Sequence, residues 1–349
     1  MTTMTAPAGE RRSATLRPVP WRRMAWVTWR QHRVLLAGVA VTFGAVAIYL
    51  FAMGLQIHDA YAAVSACAPA GSDSCRQVGQ NFFGTYQPGV GITQGILQLL
   101  PALIGAFAGA PILARELETG TFRFAWTQGV GRTRWAIAKL VPLAIIVTIP
   151  GALVSMLFSW YYQPLIAAGD TNGALFPTVF DLSGVALAGW TLIAFALGAL
   201  AGVVIRRVLP AMFATLVVWA GLAILTGTYL RAHYLAPLVT TSLKEPHPAW
   251  VLSLQWVFGG RPATLDMINR ALAPIDARAE SFQVFSPGPS TPANVDPSNY
   301  LTQHGYTLLT TYQPDNRFWT FQWIEGGWLL GLSILLLGTT VWLVRRRAR

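Results

Sequence analysis

The run Val34-Leu-Leu-Ala-Gly-Val-Ala-Val-Thr-Phe-Gly-Ala-Val-Ala-Ile-Tyr-Leu-Phe-Ala-Met-Gly-Leu55 contains no charged side chain. A hydrocarbon core about 30 Å thick is crossed by about 20 predominantly apolar residues in a helix. This stretch therefore predicts a membrane span, and it decides the fold because five more windows of its kind follow. They run Ile92–Ala114, Leu140–Trp160, Ser183–Ile205, Ala211–Leu230 and Gly326–Val344, and none holds Asp, Glu, Lys, Arg or His. Pro101, Pro111, Pro142 and Pro150 lie inside windows. Proline is tolerated there because neighbouring helices and local backbone adjustment satisfy the freed carbonyls.

The composition agrees. The chain has 349 residues, 54% hydrophobic and 11% charged, with a mean hydropathy of +0.46. An ordinary soluble domain carries about 25% charge. Disordered, collagen-like and coiled-coil chains are excluded, and a two-domain soluble enzyme is disfavoured. A cleaved leader is a poor description of the first window. Its lead of 33 residues with seven arginines, and its long apolar run, exceed the usual pattern. Val64-Ser65-Ala66-Cys67 has the look of a lipoprotein cleavage box, but Gln56, His58 and Asp59 separate it from the apolar run.

The net charge of +11 is distributed by side. Six spans place both termini together, along with the connection 115–139, Arg206, Arg207 and the arginine-rich tail. That side holds 18 of the 25 Lys+Arg residues and only Glu10, Glu116 and Glu118, a net +15. The other side is left with net −4. By the positive-inside rule both termini are expected in the cytoplasm. The basic excess then marks topology, and no nucleic-acid partner is expected. Cys67 and Cys75, the only cysteines, fall in the first outer loop, where a disulfide persists. A disulfide is expected between them, with two free thiols as the alternative.

Several chemistries lack their residues. No G-x-x-x-x-G-K-[ST] motif occurs, and Lys139 and Lys244 are the only lysines, so the chain is not expected to hydrolyse ATP. There is no H-E-x-x-H motif, and all five histidines lie outside the windows. No catalytic residue, metal site or cofactor is assigned to this chain. Ionisable residues of the kind that form proton relays are missing from the windows.

Two segments on the basic side carry pattern. In the first, Trp21, Met24, Ala25, Thr28 and Trp29 recur at helical spacing with arginines at other angles. This predicts an interfacial amphipathic helix within residues 1–33, contacting membrane lipid. In the second, Glu116, Glu118, Gly120 and Thr121 form a polar turn. Phe122, Ala125 and Trp126 at helical spacing then precede a Gly129/Gly131 break. That segment is open to two readings, a solvated turn or a short helix offering charges to a partner.

Three stretches carry a family resemblance. They are Trp26-Val-Thr-Trp-Arg-Gln-His-Arg33; Glu116-Leu-Glu-Thr-Gly-Thr121 with Trp126-Thr-Gln128, Arg132-Thr-Arg-Trp135 and Lys139-Leu140; and Arg317-Phe-Trp-Thr-Phe-Gln-Trp-Ile-Glu325. Over essentially its whole length the chain resembles actinobacterial permease subunits of ATP-binding-cassette (ABC) transporters of the second export type. The resemblance implies an all-α integral membrane fold of six transmembrane helices. It further implies two ABC ATPase subunits on the cytoplasmic side, holding the ATP and magnesium, and a second permease chain making a homodimer. The connection after the second span would be the coupling helix, with Glu116, Glu118, Gly120, Thr121, Arg123, Gln128 and Arg132 as contacts. The cavity would be lined by the second and fifth spans. On one face of the second lie Gln94, Gln98, Pro101 and Gly105, and on one face of the fifth Thr215, Trp219, Leu222 and Thr226. Weakly polar stripes suit an apolar or amphipathic cargo. The competing reading is helix–helix packing, for which Gly105-x-x-x-Gly109 and Gly198-x-x-x-Gly202 are signatures.

Residues 231–325 form a long outer segment, read as a cap between the block 34–230 and the final span with its tail, 326–349. Within it Pro248–Phe258 is expected to dip into the outer leaflet, and Leu265, Ile268 and Leu272 predict a short helix. The resulting expectation is the membrane subunit of an ATP-driven exporter in the cytoplasmic membrane. The alternatives are a polytopic lipid-modifying enzyme using Asp266, Asp276, His247 or His304, and a sensor or immunity subunit.

Overall fold

Apolar windows bounded by charge fold as helices in the computed structural model, which describes residues 21–68, 72–120, 131–169, 173–242, 248–273 and 297–346. Six helices are long and apolar enough to cross a membrane, and the all-α integral membrane class holds. Span one lies in α1 (Trp21–Ser65), and span two in α2 (Asp73–Ile104) and α3 (Ala110–Thr119), joined by a π-helical turn at Gly105–Gly109. Span three is α4 (Arg132–Ala167). A six-residue helix, α5 (Pro177–Leu182), leads to span four, α6 (Ala186–Ile205). Span five is α7 (Val208–Leu225), extended by a π-helical turn, Thr226–Leu230, and a 3-10 turn, Arg231–His233. Span six lies in α10 (Phe318–Arg346). The amphipathic stretch before span one is helical from Trp21 and runs into the span without a break.

Ends and turns follow local chemistry. Ser72 caps α2 by accepting from the Cys75 amide, and the Cys67–Cys75 disulfide ties the end of α1 to the start of α2. Gly120 closes α3 at φ 72°, a left-handed conformation glycine adopts without steric cost. Arg206 takes φ 60° in the two-residue turn between spans four and five.

The middle of the bundle is held by backbone contact between spans two and four. A Cβ added at Gly198 would lie 2.2 Å from the Gly105 carbonyl oxygen, and one at Gly109 would lie 2.6 Å from that of Phe195. Gly202 meets the Ala110 carbonyl in the same way. The two glycine pairs therefore interlock, as the packing signatures predict. Spans one and three meet where the Trp160 ring lies over Gly54 and stacks on His58, centroids 4.6 Å apart. Span five is the most peripheral. Only 11% of its apolar window is buried, against 67% for span two.

The segment between spans five and six carries a small sheet that the sequence pattern does not announce. Strands β1 (Leu238–Thr240), β2 (Ala249–Phe258), β3 (Arg261–Pro262) and β4 (Tyr306–Pro314) are ordered β1-β4-β2-β3, all antiparallel. Trp256 pairs with Leu308 and Phe258 with Tyr306, with a bulge between Val251 and Ser253. One face buries Trp256 and Tyr306 against Ile268 and Leu272 of α8 (Leu265–Leu272) and Leu301 of α9 (Pro297–Gln303). The predicted helix at 265–272 is therefore present. The segment Pro248–Phe258, expected to dip into the outer leaflet, forms strand β2 from Ala249 and pairs along its length with β4. The proline-rich run from Pro287 lies outside the described residues until Pro297 opens α9.

The described residues thus form a basic face, where α3 ends, α4 begins and Arg206, Arg207, Arg345 and Arg346 lie, and an opposite, sheet-bearing face. Exposed tryptophans mark both: Trp26, Trp29 and Trp342 at the basic end, Trp319 and Trp323 at the other. Trp319 and Trp342 are separated along α10 by roughly 35 Å of helix rise, a little more than the depth of a hydrocarbon core.

Gly198→Ala should therefore destabilise the full chain by about 2 kcal/mol, the usual scale of overpacking. Gly221→Ala, on span five with nothing within 4 Å of its added Cβ, should be neutral or slightly stabilising. Thermal unfolding in detergent distinguishes the two. Equal midpoints for both variants would show that the interlock carries no packing constraint.

Candidate functional site

Charged side chains gather at the two ends of the bundle. At the basic face, Glu116 and Glu118 stand two residues apart on α3, a separation of about 200° around the helix. They consequently face different spans. Glu116 makes an ion pair with Lys139 of α4, whose ammonium lies 4.7 Å from the Trp135 ring centroid. Glu118 Oε2 accepts from the Val208 amide, 3.0 Å, at the first residue of α7. A carboxylate there satisfies an orphan N–H and complements the positive end of the helix dipole. One helical turn thus ties the connection after span two to both span three and span five. Gly120 follows in its left-handed turn, and Arg132, half-buried, begins α4. Thr121, Arg123 and Gln128, together with the stretch around Phe122 and Trp126, lie outside the described residues.

The substrate-path candidates fall on faces packed within the chain. Gln94 is half-buried and its Oε1 accepts from Thr178 of α5, 3.3 Å; Gln98 is half-buried one turn further on. Thr215 is buried with its hydroxyl turned back to the Ala211 carbonyl. Trp219 meets Trp190 of span four edge-on, centroids 5.9 Å apart, and Leu222 packs into the same cluster. The indole N–H of Trp219 and the hydroxyl of Thr226 are buried without a hydrogen-bond partner. Pro101 and Gly105 are buried, and Gly105 lies against Ala194 of span four.

At the sheet-bearing face the structure assembles a cluster that window reading does not anticipate. Arg231, fully buried at the end of span five, donates through Nε to Glu325 Oε2, 3.0 Å, and through Nη2 to Glu325 Oε1, 2.8 Å. Nη2 also pairs with Asp181 of α5. Glu325, equally buried, accepts further from Trp190 Nε1 and from the Tyr234 hydroxyl, which in turn accepts from Trp328 Nε1. Burial pushes the Asp181 carboxyl up to about 6, with Arg231 pulling it down and Glu325 adding to the rise. The signal for this cluster was present in the sequence. Arg231 and Glu325 are the residues immediately beyond the windows ending at Leu230 and beginning at Gly326.

The residues that a lipid-modifying enzyme would need do not converge among the described ones. Asp266 pairs with Arg270 on an exposed turn of α8, and His304 stacks on Tyr300. Asp276 and His247 lie outside the described residues.

Residues 39–231 match a family model described as ABC-2 membrane transporter related. No curated protein and no solved structure matches the chain.

The Glu116–Lys139 pair makes a quantitative prediction. The side chains are only 17% and 6% exposed, so Lys139→Met leaves a largely buried carboxylate uncompensated and should cost about 3 kcal/mol. Adding Glu116→Gln should recover most of that loss, as seen by unfolding in detergent. Additive losses in the double variant would mean that the pair is not coupled.

Proposed function

We propose that this chain, which belongs to the ABC-2 membrane transporter related family, is the permease subunit of an ABC-type exporter powered by a separate ATPase. The family places the chain as a multi-pass membrane transport component rather than a catalytic enzyme, and it implies association with an ABC ATPase. Beyond that, the basic face is the cytoplasmic one by the positive-inside rule. Two ATPase subunits, carrying the ATP and magnesium, dock there against a pair of permease chains, a homodimer in the cytoplasmic membrane.

The observation that carries the proposal is the divided pair of acids. A push on the connection 115–139 reaches span three through Glu116–Lys139 and span five through Glu118–Val208. Coupling needs such a mechanical link, since the chain lacks a phosphate-binding loop of its own. In this scheme Glu116, Glu118 and Gly120 fix the shape of the connection. Thr121, Arg123, Gln128 and Arg132 offer the partner its polar contacts. The cargo is apolar or amphipathic, a drug, lipid or peptide-like molecule. It passes along spans two and five, near Gln94, Gln98, Thr215, Trp219, Leu222 and Thr226, whose side chains carry no charge.

Co-expression with an ABC ATPase taken from the neighbouring reading frames tests the proposal. The ATPase should co-purify with the tagged permease. Arg123→Glu should lower its retention roughly tenfold, equivalent to about 1.4 kcal/mol of binding, without shifting the permease unfolding midpoint. Undiminished retention would remove the connection from the interface, and failure of the wild-type chain to retain any ATPase would sink the transporter reading.

A further inference from the structure

Helix α5 is only six residues long, too short to hold a helical conformation by itself, so its position is set by what grips it. Four spans do so, each through a different polar contact. Span two offers Gln94 to the Thr178 hydroxyl. From span three, the Ser155 hydroxyl bonds the Leu182 and Gly184 carbonyls, 3.0 and 2.8 Å. Gln322 of span six donates to the Phe180 carbonyl and accepts from the Val185 and Ala186 amides at the start of span four. Arg231 of span five reaches the Pro177 carbonyl and Asp181, and its guanidinium lies 4.3 Å from the Phe180 ring centroid. Gly184 passes against Gln322 at φ 62°, where a Cβ would lie 2.7 Å from that side chain. The Gln322 and Glu325 contacts give a role to the motif Arg317–Glu325, which the transport scheme above leaves unused.

We propose that α5 is the keystone of a gate on the sheet-bearing face, and that this face opens by parting Asp181 from Arg231 while Arg231 stays on Glu325. This rests on the transporter reading, in which that face must open for cargo to leave. The order of release follows from solvation. Arg231 and Glu325 are both 0% exposed, and separating them would strand two charges in a low-dielectric interior. The Asp181 side chain is already 27% exposed, so on leaving Arg231 it gains water while Arg231 keeps its second carboxylate. The Arg231–Glu325 arm, braced by Trp190 and Tyr234, is therefore fixed, and the Asp181 arm is the one that lets go.

Amide hydrogen exchange of the full chain in lipid nanodiscs tests this without partner or cargo, so its failure is separable from failure of ATPase binding. In the wild type, amides of 178–182 should exchange faster than those of 226–234 and 318–330. Asp181→Asn should speed exchange across 178–190 at least tenfold and leave the other two segments unchanged. Glu325→Gln should speed all three. Should Glu325→Gln fail to fold, Thr178→Val, which removes the Gln94 contact, should speed 178–182 alone. Wild-type rates in Asp181→Asn, or equal acceleration of all three segments in that variant, would overturn the proposal.

Discussion

A charge inside a bilayer must be matched within the protein, and that requirement organises this molecule. None of the six windows holds Asp, Glu, Lys, Arg or His, and there the bundle is held by shape. Glycines bring spans two and four into backbone contact, and Trp160 fills the gap left by Gly54. Among the described residues, the ion pairs that join different elements, Glu116–Lys139, Arg231–Asp181 and Arg231–Glu325, lie toward the two ends. Span five shows the consequence most plainly. Its body is largely uncovered, yet it is tied at one end by Glu118 and at the other by Arg231.

The two ends are built differently. On the basic face, a single turn of α3 distributes its two carboxylates to separate spans, so the connection is fastened to both. On the sheet-bearing face, Trp190, Tyr234, Asp181 and the Pro177 carbonyl converge on the Arg231–Glu325 pair, and a short helix is gripped from four sides. The sheet sits next to this cluster and is fastened to it. Asp315 accepts from the Ala174 and Leu175 amides, and Gln313 donates to the Leu235 carbonyl. Displacement of span five or span six would consequently be felt by the cap.

Much of this was legible in the sequence, for identifiable reasons. Spans need only local apolar length, and the disulfide needs only two cysteines in one loop, so both were recoverable from Val34–Leu55 and its successors and from Cys67 and Cys75. The sheet was not. Pro248–Phe258 is as apolar as a buried helix segment, and its partner β4 lies beyond α8 and α9. The Arg231 cluster escaped for a related reason. Charge defines where an apolar window stops, so Arg231 and Glu325 were read as boundaries. Their pairing spans 94 residues of sequence and is set by tertiary structure alone. The acids of α3 were visible as a motif, but their assignment to different spans depends on where α4 and α7 lie.

In the proposed transport cycle, work applied at the basic face reaches the opposite face through the bundle. Pulsed-EPR distances report on it directly. Spin labels at Gln80→Cys, exposed on the far half of α2, and Leu238→Cys, exposed on β1, straddle the sheet-bearing face. In the permease–ATPase complex, trapping with ATP and vanadate should move this distance distribution to longer values relative to the nucleotide-free state. An unchanged distribution in a complex that hydrolyses ATP would contradict the account.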